Sequence, residues 1–137
     1  MNPLEESNIL KLDFSKLEKI NNTIKGVIPA IIQDVKTGRV LMLAYVNKEA
    51  LDYSIKNNIA VFWSTSRNEL WVKGKTSGEY LDLKGIYVNC EQNSLLYKVK
   101  IRSAGACHTK NKNGIPRKSC YYRKIDKNKL LFTEEDK

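Results

Sequence analysis

Short apolar runs separated by turn-forming residues dominate the first half of the chain. Residues 27–35 are apolar and β-branched, residues 36–39 supply a turn with a glycine, and residues 40–46 are apolar again. This pattern predicts a β-hairpin. Asn47 then has the character of a helix N-cap, and the apolar positions that follow it predict a short helix over residues 48–57.

The pattern continues with four more runs that are typical of strands, at residues 60–65, 70–72, 81–89 and 95–102. Residues 105–118 contain glycine and proline and have no regular apolar period, so they are interpreted as a loop. Several strands and few helices indicate an α+β domain that is mainly β with a few short helices.

The 137 residues fit one domain that can bury a core without disulfides. Neither a repeat nor a Pro/Gly/Ser-rich linker divides the chain. We assign residues 1–25 to an N-terminal segment, as a short helix or an edge segment, residues 26–124 to the domain and residues 125–137 to a charged C-terminal tail.

Positive charge is the strongest compositional signal. The formal net charge is +9, and residues 110–129 carry eight Lys and Arg side chains against one acid. Such a field favours phosphate or another anion as partner, although any single lysine is equally well explained by solubility. The N-terminus lacks a basic region followed by an apolar run, and nowhere do eighteen apolar residues occur in succession. We therefore expect a cytoplasmic protein with no membrane partner.

The candidate chemistry lies in the second half, which holds Cys90, Cys107, Cys120 and the single histidine, His108. Thiolates suit zinc, and three protein ligands leave a fourth position open for water, which favours catalysis. His108 is then a nearby acid–base group. Three unrelated buried thiols are the alternative, since free cysteine packs like a small hydrophobe and no Cys-x-x-Cys pair is present.

Four ordered segments resemble the signature of the phosphoribosyl-AMP cyclohydrolase family, over about residues 26–123. They are LMLAYVNKEAL at 41–51, STSR at 64–67 with LWVKGKTSG at 70–78, NCEQN at 89–93, and ACHT at 106–109 with SCYYR at 119–123.

The resemblance implies a zinc hydrolase of histidine biosynthesis that opens the purine ring of phosphoribosyl-AMP by hydrolysis of the N1–C6 bond. It implies a homodimer in which Cys90, Cys107 and Cys120 bind zinc and come from both subunits, so that active sites are shared. Zinc would activate the water that attacks C6, and His108 would shuttle the proton.

The substrate of this family is a phosphorylated purine nucleotide, which gives the positive charge a specific use. A surface hydrogen bond is a fair alternative for each polar side chain, and Trp71 either stacks on the base or belongs to the core. Eight residues lie in segments that resemble the substrate-binding loops: Ser64, Ser66, Arg67, Trp71, Lys73, Lys75, Thr76 and Ser77.

The chain departs from the family where aspartates associated with Mg²⁺ usually surround the first cysteine. Asn89, Glu91 and Asn93 stand there, and a hard cation prefers carboxylates. We expect Mg²⁺ binding to be weak or absent unless Asp82, Glu79 or substrate phosphates supply oxygens.

Two further departures add positive charge. Lys75 replaces the family's usual glutamate, and by one hypothesis takes over the electrostatic role of the cation toward phosphate. The loop at residues 110–118 is longer than the usual form. It either clamps a substrate phosphate or is an insertion tolerated at the surface.

These departures leave two alternatives open beside phosphoribosyl-AMP hydrolysis. The first is a divergent zinc hydrolase of another phosphorylated, purine-like heterocycle. The second is a non-enzymatic, zinc-stabilised basic module that binds nucleic acid. The second explains the charge and the cysteines but not the motifs at 41–51 and 70–78, and no aromatic-rich nucleic-acid signature is present.

Overall fold

A four-stranded sheet and one α-helix form the centre of the structure. The structure is a computed structural model that describes residues 10–15, 17–18, 25–127 and 129–137. The elements are β1 (Ile28–Asp34), β2 (Val40–Val46), α1 (Lys48–Asn57), β3 (Val61–Ser64), β4 (Glu69–Val72), β5 (Leu81–Val88), β6 (Leu95–Ile101), β7 (Arg123–Asp126), β8 (Lys129–Phe132) and a 3₁₀ turn (Glu134–Asp136).

The central sheet has the strand order β2–β1–β6–β5. β1 and β2 form the predicted antiparallel hairpin, and β5 and β6 form a second one. β1 and β6 are parallel neighbours, so α1 and the separate β3–β4 hairpin belong to the connection between them. The predicted mainly β, α+β domain and its first six strands are confirmed.

The helix begins where the sequence predicts it. The side-chain oxygen of Asn47 accepts a hydrogen bond from the Ala50 N–H at 2.9 Å, which satisfies a backbone donor that the first turn cannot pair. The helix ends at Asn58, which adopts a left-handed conformation with φ 55°. Ala50 and Leu51 are buried against the sheet, whereas Ile55 remains exposed.

The core lies between one face of the sheet, α1 and β3. Tyr97 on β6 and Phe62 on β3 are fully buried, with ring centroids 6.0 Å apart. The Tyr97 hydroxyl donates to Ser54 Oγ at 3.4 Å, and that oxygen accepts from the Val61 N–H at 3.0 Å. Burial raises the pKa of Tyr97 to about 12. The core therefore contains one polar link, which joins the helix to β3 and β6.

The opposite face of the sheet carries an uncovered apolar row. Ile31 on β1 pairs with Leu43 on β2 and with Leu96 on β6, and Leu96 pairs with Tyr87 on β5. Residues directly opposite one another point to the same face, so these four side chains cross the whole sheet. Ile31, Leu43 and Tyr87 are exposed. An apolar row of this extent is typical of a surface that another molecule covers.

The C-terminal part differs from the sequence interpretation. Residues 125–137 were assigned to a charged tail, but β7 and β8 pair as an antiparallel hairpin in register from Arg123–Phe132 to Asp126–Lys129. Its strands are exposed on both faces, and this explains why no buried–exposed alternation marks them. The predicted helix or edge segment at residues 1–25 lies largely outside the described residues. Within the described part, Leu12 and Phe14 pack against the core.

In the part of the chain that the structure describes, no helix is long and apolar enough to cross a bilayer.

Candidate active site

A cleft of about 860 Å³ opens between the β4–β5 loop and the segment that carries Cys107. Its walls bring together two thiols, an imidazole and several cations, including Cys107, Cys120, His108, Lys73 and Lys75. A smaller groove of about 400 Å³ lies between α1 and β5 and is mainly apolar. Because reactive side chains line only the larger of these two, the cleft is the candidate active site.

Cys107 and Cys120 form the chemical centre of the cleft. All three cysteines of the chain are free; Cys107 is buried, and Cys120 is exposed toward the cleft. The surrounding protein nevertheless raises the pKa of the Cys120 thiol to about 12 by desolvation, and its direct neighbour Cys107 raises it further. Two sulfurs placed side by side in one cleft are a typical pair of ligands for a soft metal cation.

Backbone hydrogen bonds fix both cysteines. The Cys120 N–H donates to the Leu41 carbonyl at 2.7 Å, which attaches Cys120 to the start of β2. The Cys107 N–H donates to the Arg117 carbonyl at 3.0 Å. Thr109 donates its backbone N–H toward the Cys107 sulfur at 3.5 Å, and its hydroxyl lies 2.9 Å from the same sulfur. These contacts hold the Cys107 sulfur in a defined position at the wall of the cleft.

The segment before Cys107 requires glycine at position 105. A Cβ atom built on Gly105 would lie 2.3 Å from the Arg117 carbonyl oxygen. Because that contact is with backbone, no side-chain rotation could relieve it. Gly105 therefore allows the segment before Cys107 to approach the backbone of Arg117 closely.

Lys73 lies buried beside the two thiols, with only 6% of its surface exposed. Its ammonium group donates to the Glu79 carbonyl oxygen at 2.9 Å. Burial lowers the pKa of Lys73, and the negative charges of Glu79, Cys120 and Cys107 partly offset that effect. The charge of Lys73 in turn favours the ionised form of Cys120 and partly offsets the desolvation of that thiol.

Glu79 ties the two walls of the cleft together, a role that the sequence did not reveal. One carboxylate oxygen accepts the backbone N–H groups of Ala104 at 2.9 Å and Gly105 at 3.2 Å. These residues lead directly into Cys107. The β4–β5 loop on which Glu79 lies is itself tight, because Gly74 has φ +94° and a Cβ there would be 2.4 Å from the Tyr80 nitrogen.

Cys90 lies apart from the other two cysteines. It is exposed in the turn between β5 and β6, whereas Glu79 and Ala104 meet at the other end of that hairpin. The eight residues of β5 span roughly 25 Å at about 3.3 Å each. Consistently, no three His, Cys, Asp or Glu side chains among the described residues are grouped closely enough to hold a metal ion.

The turn around Cys90 is closed by amide groups. The Asn89 side-chain oxygen accepts the N–H groups of Asn93 and Ser94, both at 2.9 Å, and the Asn89 amide donates to Asn93 Oδ1 at 2.7 Å. These amide oxygens are therefore already engaged by protein donors. Glu91 is exposed on the same turn.

Two other carboxylates that could have supplied oxygens to Mg²⁺ are also engaged. Asp82 pairs with Arg102 at 2.5 Å, and this hydrogen bond lowers the pKa of Asp82. Glu79 accepts the two backbone N–H groups described above. Both carboxylates are therefore already engaged by protein donors.

The predicted substrate-binding residues fall into two groups. Trp71 lines the cleft and also contacts Phe62, with ring centroids 5.4 Å apart, so it serves both the core and the cleft. Ser64 and Ser66 do not line the cleft. Their hydroxyls lie 3.3 Å apart in the β3–β4 turn, where Ser64 Oγ accepts the Arg67 N–H. The predicted residues that line the cleft are Arg67, Trp71, Lys73, Lys75, Thr76 and Ser77.

Comparison with known proteins gives one consistent result. A family model described as phosphoribosyl-AMP cyclohydrolase matches residues 42–122. A protein of that name from Chloroherpeton thalassium is 39% identical over 133 residues, which cover 91% of this chain and 90% of the relative. Proteins of the same name from Hyphomonas neptunium and Clostridium botulinum strain Okra are each 47% identical, over 79% and 77% of this chain and 77% and 94% of the relatives.

Proposed function

This chain belongs to the phosphoribosyl-AMP cyclohydrolase family, hydrolases that act on carbon–nitrogen bonds in cyclic amidines, and from that membership we propose that it opens the purine ring of phosphoribosyl-AMP at the N1–C6 bond. The observation that carries the proposal is the pair formed by Cys107 and Cys120 in a cleft lined with cations. Family membership favours this enzymatic function over a nucleic-acid-binding module.

The metal site we propose is shared between two chains. Cys107 and Cys120 would hold zinc with Cys90 of a second chain, because β5 separates Cys90 from the pair within one chain. Sulfur ligands suit zinc, and three of them leave one position open. When bound, zinc supplies Lewis acidity, which lowers the pKa of water toward neutrality.

The side chains of the cleft then have distinct roles. His108 is exposed and lines the cleft next to Cys107. It accepts a proton from the water that adds to C6 and delivers a proton to N1 as the N1–C6 bond breaks, so that one water is consumed and the ring opens. Trp71 packs on the purine, and Lys73 and Lys75 offset negative charge in the cleft and on phosphate.

A homodimer explains the uncovered face of the sheet. The apolar row of Leu43, Ile31, Leu96 and Tyr87 ends on β5, only three residues before Cys90. In the dimer that we propose, a second copy covers this row with its own cleft beside Cys90, and a two-fold axis makes both sites alike. The same contact between two chains would then form the dimer interface and complete the metal site.

Magnesium has no place in this proposal. Asn89 and Asn93 satisfy each other and the turn, and the carboxylates of Asp82 and Glu79 are engaged elsewhere. Lys75 takes the position of an acidic side chain in the family's usual motif, and its ammonium group acts on phosphate without Mg²⁺.

The test is an ultraviolet assay of ring opening with phosphoribosyl-AMP, using zinc-loaded protein in buffer depleted of magnesium. We expect turnover that added Mg²⁺ changes less than about twofold and that Cys107→Ala reduces by at least about a thousandfold. A folded, zinc-loaded enzyme that leaves phosphoribosyl-AMP intact would contradict the proposal and favour another phosphorylated heterocycle as substrate.

A further inference from the structure

The loop between Cys107 and Cys120 is a folded hairpin. The Asn111 N–H donates to the Ile115 carbonyl at 2.9 Å, and Asn111 Oδ1 accepts the N–H groups of Asn113 and Ile115 at 2.9 and 3.0 Å. Gly114 provides the left-handed position at φ +76°. Lys110 and Pro116 pair across its base. A loop closed in this way holds Lys110 in a defined place.

The C-terminal hairpin braces this loop from outside. The Arg117 guanidinium lies over the Tyr122 ring at 4.2 Å and over the Phe132 ring at 5.4 Å. The Lys112 N–H donates to the carbonyl of the last residue, Lys137, at 3.1 Å. These contacts connect Tyr122, β8 and Lys137 to both arms of the loop, so the loop is part of the packed structure.

Two lysines on different loops line the same cleft, and within the described residues neither is neutralised by an ion pair. Lys110 lines it from the braced loop and Lys75 lines it from the β4–β5 loop. Within the described residues neither lysine forms an ion pair, whereas Arg67 on the same cleft is paired with Glu69 at 3.5 Å. Ammonium groups that line one concave site raise the local concentration of anions and bind phosphate as point charges.

We propose that Lys110 is a phosphate-binding residue of the active site and forms, with Lys75, a subsite for one phosphate of the substrate. The inference rests on the proposed function for the identity of the ligand, a nucleotide with phosphorylated ribose. Lys110 acts on binding and takes no part in the chemistry, because in the proposed reaction Cys107 and Cys120 hold the zinc and His108 transfers the proton.

The test compares Lys110→Gln with Lys112→Gln, which changes an exposed lysine of the same loop that does not line the cleft. We expect Lys110→Gln to raise KM for phosphoribosyl-AMP about tenfold and to leave kcat within about twofold, the effect of one lost charged hydrogen bond. Lys112→Gln should match wild type, and Lys110→Arg should recover most of the affinity.

Equilibrium binding separates this inference from the proposed function. With zinc-loaded protein, calorimetry should show that Lys110→Gln weakens adenosine 5′-monophosphate about tenfold and leaves phosphate-free adenosine unchanged. A protein that binds the nucleotide through Lys110 but does not hydrolyse phosphoribosyl-AMP would support the subsite and contradict the proposed reaction. Wild-type KM and wild-type nucleotide affinity in Lys110→Gln would overturn the subsite.

Discussion

The tie between Glu79 and the segment before Cys107 gives the sharpest prediction of stability. One Glu79 oxygen accepts two backbone N–H groups, from Ala104 and Gly105, at 2.9 and 3.2 Å. Hydrogen bonds to charged groups contribute about 1.5–3 kcal/mol each when buried. Glu79 is half-buried, so water replaces part of each bond in a variant. We expect Glu79→Ala to lower the free energy of unfolding by about 2–3 kcal/mol.

Glu79→Gln tests the geometry separately from the charge. Glutamine keeps one oxygen that can accept both N–H groups, so only the charge contribution is lost, and we expect about 1 kcal/mol. Glu49→Ala is the matched control, because it removes an exposed carboxylate in the first turn of α1 and should change the free energy by less than about 0.5 kcal/mol.

Urea denaturation of metal-free protein measures these values, and zinc titration of the folded variants measures the second consequence. Because the tie fixes the segment that leads into Cys107, Glu79→Ala should also weaken zinc about tenfold or more. Equal free energies of unfolding for Glu79→Ala and Glu49→Ala would refute the reasoning, since the tie would then contribute nothing.

Three further predictions concern the loop, the core and the uncovered sheet face. Gly105→Ala should lower the free energy of unfolding by about 3 kcal/mol in urea denaturation, because its Cβ would lie 2.3 Å from the Arg117 carbonyl oxygen. A free energy of unfolding within about 0.5 kcal/mol of wild type would be incompatible with this contact. Burial raises the pKa of Tyr97 to about 12 in the folded state, so its contribution to stability is present below pH 10 and is lost as pH rises toward 12. Relative to Tyr97→Phe, the free energy of unfolding of wild type should fall by about 1.4 kcal/mol between pH 8 and pH 11. Parallel pH profiles of the two proteins would exclude this. Ile31→Arg should be monomeric in analytical ultracentrifugation and should lack activity. Val35→Arg, which changes a comparably exposed apolar position, should remain dimeric. A dimeric Ile31→Arg variant would place the interface elsewhere.

Local signals explain what the sequence predicts well. The turn around Gly38 and the cap at Asn47 act within a few residues, so the first hairpin and the helix follow from the chain itself. The hairpin of β7 and β8 has no such signal. Its strands are exposed on both faces, and its contacts to the loop between the cysteines come from Tyr122 and Phe132, which only the tertiary structure brings to Arg117.

In the candidate site, too, local signals predict some features, and others depend on the tertiary structure. The three cysteines and the single histidine beside Cys107 indicated chemistry, and the structure brings Cys107, His108 and Cys120 into one cleft. The role of Glu79 depends on backbone groups more than twenty residues away, so no motif announces it. The distance of Cys90 from the pair also depends on the length and position of β5. Ser64 and Ser66 were assigned by motif, yet their hydroxyls serve the β3–β4 turn; their contact with substrate stays a prediction.

The shared site is the central claim, and complementation between two defective chains tests it most directly. Cys90→Ala and Cys107→Ala are co-expressed with different affinity tags, and the heterodimer is purified through both. In the heterodimer one site combines an intact Cys90 from one chain with intact Cys107 and Cys120 from the other. The account predicts that each variant alone is inactive and that the heterodimer hydrolyses phosphoribosyl-AMP at about half the wild-type rate per dimer. A folded heterodimer as inactive as its parents, or a fully active Cys90→Ala enzyme, would contradict it.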